Sequence, residues 1–164
     1  MSPPTDVALD AAANRLASTL LDQQLKLVCA ESCSGGWVAK VCTDRAGSSA
    51  WFAHGLVAYS NPAKTDLLGV QPEVLEQHGA VSAETAQAMA IGARGNQPGR
   101  VALAVTGIAG PSGATQEKPV GLVWFGWALA NGEVAVESAR FQGDRDAVRR
   151  ASVLMALDGL TRRL

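Results

Sequence analysis

The chain has 164 residues, and 48% of them are hydrophobic. This length and composition predict one folded domain over residues 1–164 and argue against a disordered chain. Because 14 Lys and Arg residues are balanced by 15 Asp and Glu residues, the net charge of −1 gives no electrostatic basis for binding nucleic acid or an anionic membrane surface.

The cysteines and the N-terminal residues indicate in which cellular compartment the protein is found. Cys29, Cys33 and Cys42 are an odd number, and the spacing of the first two lacks the further cysteines or histidines of a zinc site. We expect three reduced thiols. The N-terminus has neither a basic nor an apolar segment, and no apolar run approaches the roughly 20 residues that cross a bilayer. These features predict a cytoplasmic protein.

A helix and a buried strand open the chain. Thr5 or Asp6 can cap the helix, which is predicted to end near residues 23–24. Its apolar residues recur every three or four positions and are Leu9, Ala12, Leu16 and Leu20. Residues 25–30 form a short apolar run, which predicts a central strand covered on both faces.

The strand ends in Glu31-Ser-Cys-Ser-Gly-Gly36, directly before a predicted helix with Trp37 and Val38. Such a junction places hydroxyls and free backbone N–H groups at a strand end, where a helix N-terminus can hold an oxyanion or a phosphate. A purely structural role is the alternative, in which Ser32 and Ser34 cap the helix and the glycines permit the turn.

The middle of the chain alternates further strands and helices. Residues 51–59 predict a second strand, which Pro62 ends because proline removes a ladder donor. Helical segments follow at residues 63–68, 72–77 and 83–93, the last capped by Ser82. Residues 101–105 predict another buried strand that leads into a glycine-rich loop at 106–113. Two such loops at one edge of a sheet can form a pocket.

The last third predicts a hairpin and a helix. Residues 120–130 and 133–141 are joined by Asn131-Gly132, a strong signal for a β-hairpin. A final helix follows Gly143-Asp-Arg-Asp146, with Arg149 and Arg150 off its apolar face. The whole pattern predicts an α/β fold, a three-layer α/β/α sandwich around a mixed, mostly parallel sheet with one antiparallel hairpin.

The candidates for chemistry are serines and a lysine. The chain has only two histidines and no P-loop or zinc-deaminase signature. A hydrolase would therefore need another base for its serine, and a lysine kept neutral by burial is the usual substitute. Lys64, close to Tyr59 and just after the Ser60-Asn-Pro62 turn, is the lysine we nominate. A solvated surface lysine is the alternative.

Seven motifs, found in order over residues 7–160, resemble the nicotinamide-nucleotide amidohydrolase (NMN deamidase) family, the same domain as the C-terminal part of competence/damage-inducible CinA proteins. They are Ala30-Glu-Ser-Cys-Ser-Gly-Gly36, Ala46-Gly-Ser-Ser-Ala-Trp-Phe52, Tyr59-Ser-Asn61 with Lys64, Gly79-Ala-Val-Ser82, Thr106-Gly-Ile-Ala-Gly-Pro111, Lys118-Pro-Val-Gly121 and Gly143-Asp-Arg145. Ser34 stands where the family usually has threonine, which keeps the hydroxyl.

The resemblance implies hydrolysis of nicotinamide mononucleotide (NMN) to nicotinate mononucleotide and ammonia, without a metal or another cofactor. It implies that Ser32 or Ser49 attacks the amide carbon and that Lys64 moves the proton. Tyr59 would orient the lysine or hold the pyridine carboxamide. Which serine is the nucleophile stays open at the level of sequence.

The resemblance also implies substrate contacts. The backbone amides of the turn from Ser32 to Gly36, which includes Ser34 and Gly35, or those of Ser48 and Ser49, are candidates for the oxyanion hole. The phosphate would be bound by the glycine-rich loop and by an arginine at the start of the last helix, and the residues expected there are Thr106, Gly107, Gly110 and Arg145.

Two of these side chains have alternatives. Arg145 could instead form an ion pair with Asp144 or Asp146. Glu31 is expected to orient Lys64 or to bind the ribose hydroxyls.

Two other functions compete with the enzyme. One is a non-catalytic regulatory domain that binds a nucleotide, since glycine-rich loops at strand ends often do so. The other is a partner protein in DNA uptake or damage response, to which the near-neutral charge gives no support. We expect the binding partner to be a small-molecule nucleotide. We also expect a homo-oligomer, because an α/β domain with four tryptophans can assemble through an exposed apolar face.

Overall fold

The structure, a computed structural model, describes residues 2–164. Within them lie six α-helices and five strands. The helices are α1 (Asp6–Asp22), α2 (Trp37–Thr43), α3 (Asn61–Leu68), α4 (Pro72–His78), α5 (Ala83–Arg94) and α6 (Arg145–Thr161). The strands are β1 (Lys26–Glu31), β2 (Phe52–Val57), β3 (Arg100–Gly107), β4 (Leu122–Ala128) and β5 (Val134–Arg140).

The strands form one mixed sheet in the order β2-β1-β3-β4-β5. Strand β1 pairs in parallel with both β2 and β3, whereas β4 is antiparallel to its neighbours β3 and β5. The predicted hairpin is the β4–β5 pair, and Gly132 in its turn has a φ of 94°, which glycine adopts without strain. The prediction of a mixed, mostly parallel sheet with an antiparallel hairpin is confirmed.

Two layers of helices cover the sheet. Helices α1, α2 and α6 pack on one face, over the inward side chains of β1, β3 and β4. Helices α3, α4 and α5 pack on the other face. The α/β/α sandwich is thus confirmed, and β1 is buried on both faces as predicted. No helix within residues 2–164 combines the length and the apolar character needed to cross a membrane.

The beginning of α3 sets the position of Lys64. The Ser60 hydroxyl accepts the N–H of Ala63, and Pro62 lies in the first turn, where a missing N–H is harmless. The helix therefore begins at Asn61, two residues earlier than predicted. Thr5 and Ser82 cap α1 and α5, as expected from the sequence.

A glycine in α6 allows the helix to lie directly on the sheet. The indole of Trp127 in β4 is fully buried and donates to the carbonyl of Ala156 at 2.9 Å. A Cβ at Gly159 would lie 2.1 Å from the Trp127 ring. The close packing of helix and strand therefore requires a residue without a side chain here.

We predict that Gly159→Ala destabilises the protein by about 1–3 kcal/mol, because the cost of overpacking outweighs the better helix propensity of alanine. Urea unfolding followed by circular dichroism measures the loss. In a Trp127→Leu background the same substitution should cost less, since the ring it would meet is gone. An equal cost in both backgrounds would contradict the steric explanation.

Candidate active site

A pocket of about 270 Å³ lies at the carboxyl ends of β1 and β3 and beside the first turn of α3. Both glycine-rich loops reach it, one through Ser32 and Cys33 and the other through residues 106–113. Of the residues predicted to be functional, six line this pocket: Ser32, Tyr59, Lys64, Thr106, Gly107 and Gly110, and a seventh, Arg145, closes its rim.

The Lys64 side chain contacts Ser32. The Lys64 Nζ lies 3.1 Å from the Ser32 Oγ, and both side chains are buried, with relative exposures of 1% and 8%. Two backbone carbonyls, those of Ala58 and Tyr59, accept the other Nζ hydrogens at 3.1 Å each. This spacing suits proton transfer between a hydroxyl and an amine.

Burial lowers the pKa of the Lys64 ammonium from its ordinary value of 10.5. Within residues 2–164 no carboxylate forms an ion pair with Lys64 that would hold the proton. Two of its three contacts are carbonyl oxygens, which can only accept. When the amine is neutral, its two hydrogens go to these carbonyls, and its lone pair is left for the Ser32 hydroxyl. Burial thus shifts the protonation equilibrium of Lys64 toward the neutral amine, the form that acts as a base.

The turn after β1 also offers backbone donors. The amide of Ser32 donates to Val105 O, and that of Gly35 donates to Ser32 O. In the described part of the chain, the amides of Cys33 and Ser34 donate to no oxygen. Of these two residues only Cys33 lines the pocket, so its amide is the donor of this turn that remains for an oxyanion.

The carboxylate of Glu31 stabilises this turn by binding backbone N–H groups at the start of α2. It is fully buried and accepts the backbone N–H groups of Gly36, Val38 and Ala39 at 3.1, 3.0 and 2.8 Å. A negative charge at the first turn of α2 satisfies N–H groups that have no partner within the helix. The expected roles for Glu31, orienting Lys64 or binding ribose, do not fit this position, because its oxygens face α2.

Arg149 holds the same turn from α6, and the sequence analysis missed it. Its guanidinium donates to the carbonyls of Cys33 and Ser34 at 3.2 and 2.9 Å, and it lies over the Trp37 ring at 5.0 Å. The only sequence signal is its spacing of four from Arg145, which puts both arginines on one face of a helix.

Arg145 spans the rim of the pocket. It donates to Gly110 O at 2.8 Å and to the Tyr59 hydroxyl at 3.2 Å. The alternative ion pairs with its neighbours are absent from residues 2–164: Asp144 caps α6 and Asp146 pairs with Arg150. The backbone carbonyl of Tyr59 accepts from Lys64, and the residue as a whole is 60% exposed.

The hydroxyl of Thr106 faces a carbonyl. It donates to Ala80 O at 2.7 Å, so its single hydrogen is engaged. Thr106 therefore cannot donate this hydrogen to a phosphate, the role expected from the sequence.

Ser48 and Ser49 lie at the opposite end of the parallel strands from the pocket. They precede β2, which runs parallel to β1 with Phe52 opposite Leu27, whereas Ser32 follows the far end of β1. A strand of this length separates the two serines by roughly 15–20 Å. The Ser49 side chain is exposed, and its carbonyl accepts from Lys26. The structure therefore places neither Ser48 nor Ser49 at the pocket.

Three further residues expected to bind substrate do not line the pocket. The Ser34 hydroxyl is buried without a hydrogen-bond partner in the described chain. Gly36 gives its N–H to Glu31, and Gly35 gives its N–H to Ser32 O. Positive φ values of 61° and 92° at Gly35 and Gly36 are what these glycines contribute, since they let the chain reverse into α2.

Comparisons with known proteins agree on one family. A family model described as the CinA C-terminal domain matches residues 9–164. The chain is 49% identical to nicotinamide-nucleotide amidohydrolase PncC of Escherichia coli strain K12 over 156 residues, which are 95% of this chain and 94% of that protein. It is 51% identical to a CinA-like protein of Geobacter sulfurreducens, of which it spans 38%.

Solved structures show the same fold. The competence/damage inducible protein CihA from Agrobacterium tumefaciens superposes with a TM-score of 0.91 at 42% identity, covering 99% of this chain and 98% of that one. A CinA superfamily protein from Escherichia coli gives a TM-score of 0.90 at 32% identity, covering 99% and 95%.

We predict that Glu31→Gln destabilises the protein by about 2–4 kcal/mol. The glutamine turns one acceptor oxygen into an NH₂ donor that faces backbone N–H groups, and it removes the charge that strengthens the remaining bonds. The midpoint of urea unfolding should fall with little change of slope. Glu73→Gln, on the exposed face of α4, is the control and should change stability by less than about 0.5 kcal/mol. A loss as small as the control's would show that the turn does not depend on this carboxylate.

Proposed function

This chain belongs to the family of CinA C-terminal domains, and we propose that it hydrolyses the carboxamide of NMN to give nicotinate mononucleotide and ammonia. The observation that carries the proposal is the buried contact between Lys64 Nζ and Ser32 Oγ at 3.1 Å, at the floor of a pocket. The identity of 49% over 95% of the chain to a protein named nicotinamide-nucleotide amidohydrolase supports the substrate.

In the first step Ser32 is the nucleophile and Lys64 the base. The two hydrogens of the neutral amine donate to the carbonyls of Ala58 and Tyr59, which directs the nitrogen lone pair at the Ser32 hydroxyl. The amine takes the hydroxyl proton while the oxygen bonds to the carboxamide carbon. The carbonyl oxygen becomes an oxyanion, and Lys64 becomes an ammonium.

The developing oxyanion is bound by the amide of Cys33, which lines the pocket. One such preorganised donor lowers a barrier by about 3 kcal/mol where donors of this kind have been removed. The tetrahedral adduct then collapses: the carbon–nitrogen bond breaks, and Lys64 returns its proton to the nitrogen, which leaves as ammonia. Water attacks the remaining ester with Lys64 again as base, which frees Ser32 and the acid.

The phosphate end of the nucleotide lies toward the rim in this proposal. Arg145 and the loop at 107–113 supply a permanent positive charge and backbone N–H groups there. The exposed Tyr59 ring stands next to Arg145 and offers a flat apolar face to the pyridine.

We predict that Ser32→Ala and Lys64→Met each lower kcat by about a thousandfold or more, because each removes a group that makes or breaks a bond to the substrate. Ammonia and nicotinate mononucleotide are measured in the presence of a chelator. Ser49→Ala is the matched control and should stay within about twofold of wild type. Loss of activity in Ser49→Ala with activity kept in Ser32→Ala would overturn the assignment. A folded wild type that binds NMN without releasing ammonia would instead indicate the regulatory binding domain.

We predict that kcat/KM rises with pH through the pKa of Lys64 and that this rise lies below pH 10.5. Burial lowers that pKa, and only the neutral amine accepts the serine proton. A pH–rate profile of the wild type measures the position of the rise.

Stability gives an independent check of the same group. Between the lowered pKa and 10.5 the unfolded chain binds a proton that the folded chain does not, so stability rises with pH there. At pH values below the lowered pKa, Lys64 is protonated in the folded protein, and the burial of its charge reduces the free energy of unfolding. Lys64→Met should therefore be more stable than wild type at neutral pH, with an advantage that shrinks toward pH 10. Lys40→Met, an exposed site on α2, should show no such pH dependence. A flat difference for Lys64→Met would contradict the lowered pKa.

A further inference from the structure

Thr106 lies beside the proposed nucleophile on the neighbouring strand. Strands β1 and β3 are parallel, with Glu31 opposite Val105, and the Ser32 amide donates to Val105 O at 2.9 Å. The residues that follow this pair, Ser32 and Thr106, are therefore next to each other across the strands. Thr106 lines the pocket and has a relative exposure of 1%.

Both side chains point to the α3 side of the sheet. In β1 and β3 the alternate residues Ala30 and Ala104 belong to the cluster that α3 and α5 cover. Because side chains alternate along a strand, residues two positions further on share that face. Lys64 approaches from the same side and contacts Ser32.

The Thr106 hydroxyl can only accept a hydrogen bond from the pocket. A hydroxyl has one hydrogen and two lone pairs, and Ala80 O, 2.7 Å away, can only accept. The Ala80 carbonyl is itself held in place, because the neighbouring Gly79 carbonyl accepts from the hydroxyls of Ser82 and Thr85 at 3.0 and 2.7 Å. The orientation of the Thr106 hydroxyl is therefore fixed before substrate arrives.

We propose that Thr106 Oγ1 accepts an N–H of the scissile carboxamide and thereby makes the site specific for amides. The inference rests on the proposed function. A carboxamide has an NH₂ group to donate at that position, whereas an ester or a carboxylate has only oxygen acceptors. The amide nitrogen is thus placed next to Lys64, which protonates it as it leaves. The acid product brings an acceptor against an acceptor, which favours its release.

The test compares two substrates that share an acyl group, NMN and the methyl ester of nicotinate mononucleotide. In Thr106→Val the kcat/KM for the amide should fall about 10- to 100-fold, as expected for one lost hydrogen bond to the reacting group. The kcat/KM for the ester should fall by less than about threefold, since the ester makes no bond there. Thr106→Ser keeps the acceptor and should preserve the preference for the amide.

The ratio of the two substrates separates specificity from a structural role. A Thr106→Val protein that loses both activities equally would show that Thr106 only holds Ala80 or packs the pocket, and it would overturn the inference. A wild type that hydrolyses neither compound would overturn the proposed function as well. These two failures are distinguished by the wild-type rates alone.

A binding measurement covers the case in which Thr106→Val does not fold. Titration calorimetry on Ser32→Ala compares NMN with 3-acetylpyridine mononucleotide, a ketone without the N–H. We expect NMN to bind about tenfold tighter or more, because the ketone leaves the Thr106 acceptor unpaired. Equal dissociation constants would overturn the inference.

Discussion

The burial of one amine without a carboxylate shapes this protein more than any other feature. The Lys64 Nζ contacts one hydroxyl and two carbonyls, and the described chain gives it no ion pair. A protonated amine is costly in such a place, so burial lowers its pKa. The rest of the site follows from keeping that amine in contact with Ser32. Helix α3 must begin at the end of β2, and β2 must pair with β1, for the two side chains to meet.

The turn that carries Ser32 is fixed from two sides by opposite charges. Glu31 accepts three backbone N–H groups at the start of α2, and Arg149 from α6 donates to two carbonyls of the turn. Each charge engages backbone groups of one polarity. Neither charge engages the amide of Cys33, which lines the pocket and donates to no oxygen in the described chain. A turn held in this way does not have to reorganise when charge develops on the substrate.

The sequence predicted the layers of the fold and the residue types of the site, but not which residues meet. Apolar runs, caps and the Asn131-Gly132 turn are local signals, and local signals were sufficient for the elements of this sandwich. Ser32 follows its strand and Ser49 precedes its own, so the two serines lie at opposite ends of the sheet only because β1 and β2 are parallel. The sequence did not show how these two strands pair. Glu31 and Arg149 bind backbone groups, and a side-chain motif does not show which backbone groups a residue binds. A homo-oligomer and a cytoplasmic location stay predictions.

The polar groups around the pocket differ in what they offer a ligand, and in the mechanism that we propose this difference orients the carboxamide. The amide of Cys33 offers a donor, the Thr106 hydroxyl offers an acceptor, and Ser32 and Lys64 line the same pocket. A carboxamide has one acceptor oxygen and one donor nitrogen on the same carbon, so only one of its two orientations satisfies both sides. In that orientation the carbon faces Ser32 and the leaving nitrogen faces Lys64. Because the two orientations differ only by exchange of the oxygen and the nitrogen, the shape of the pocket alone could not select between them. In our proposal the selection depends on the direction of a single hydroxyl hydrogen, that of Thr106, which donates to Ala80 O.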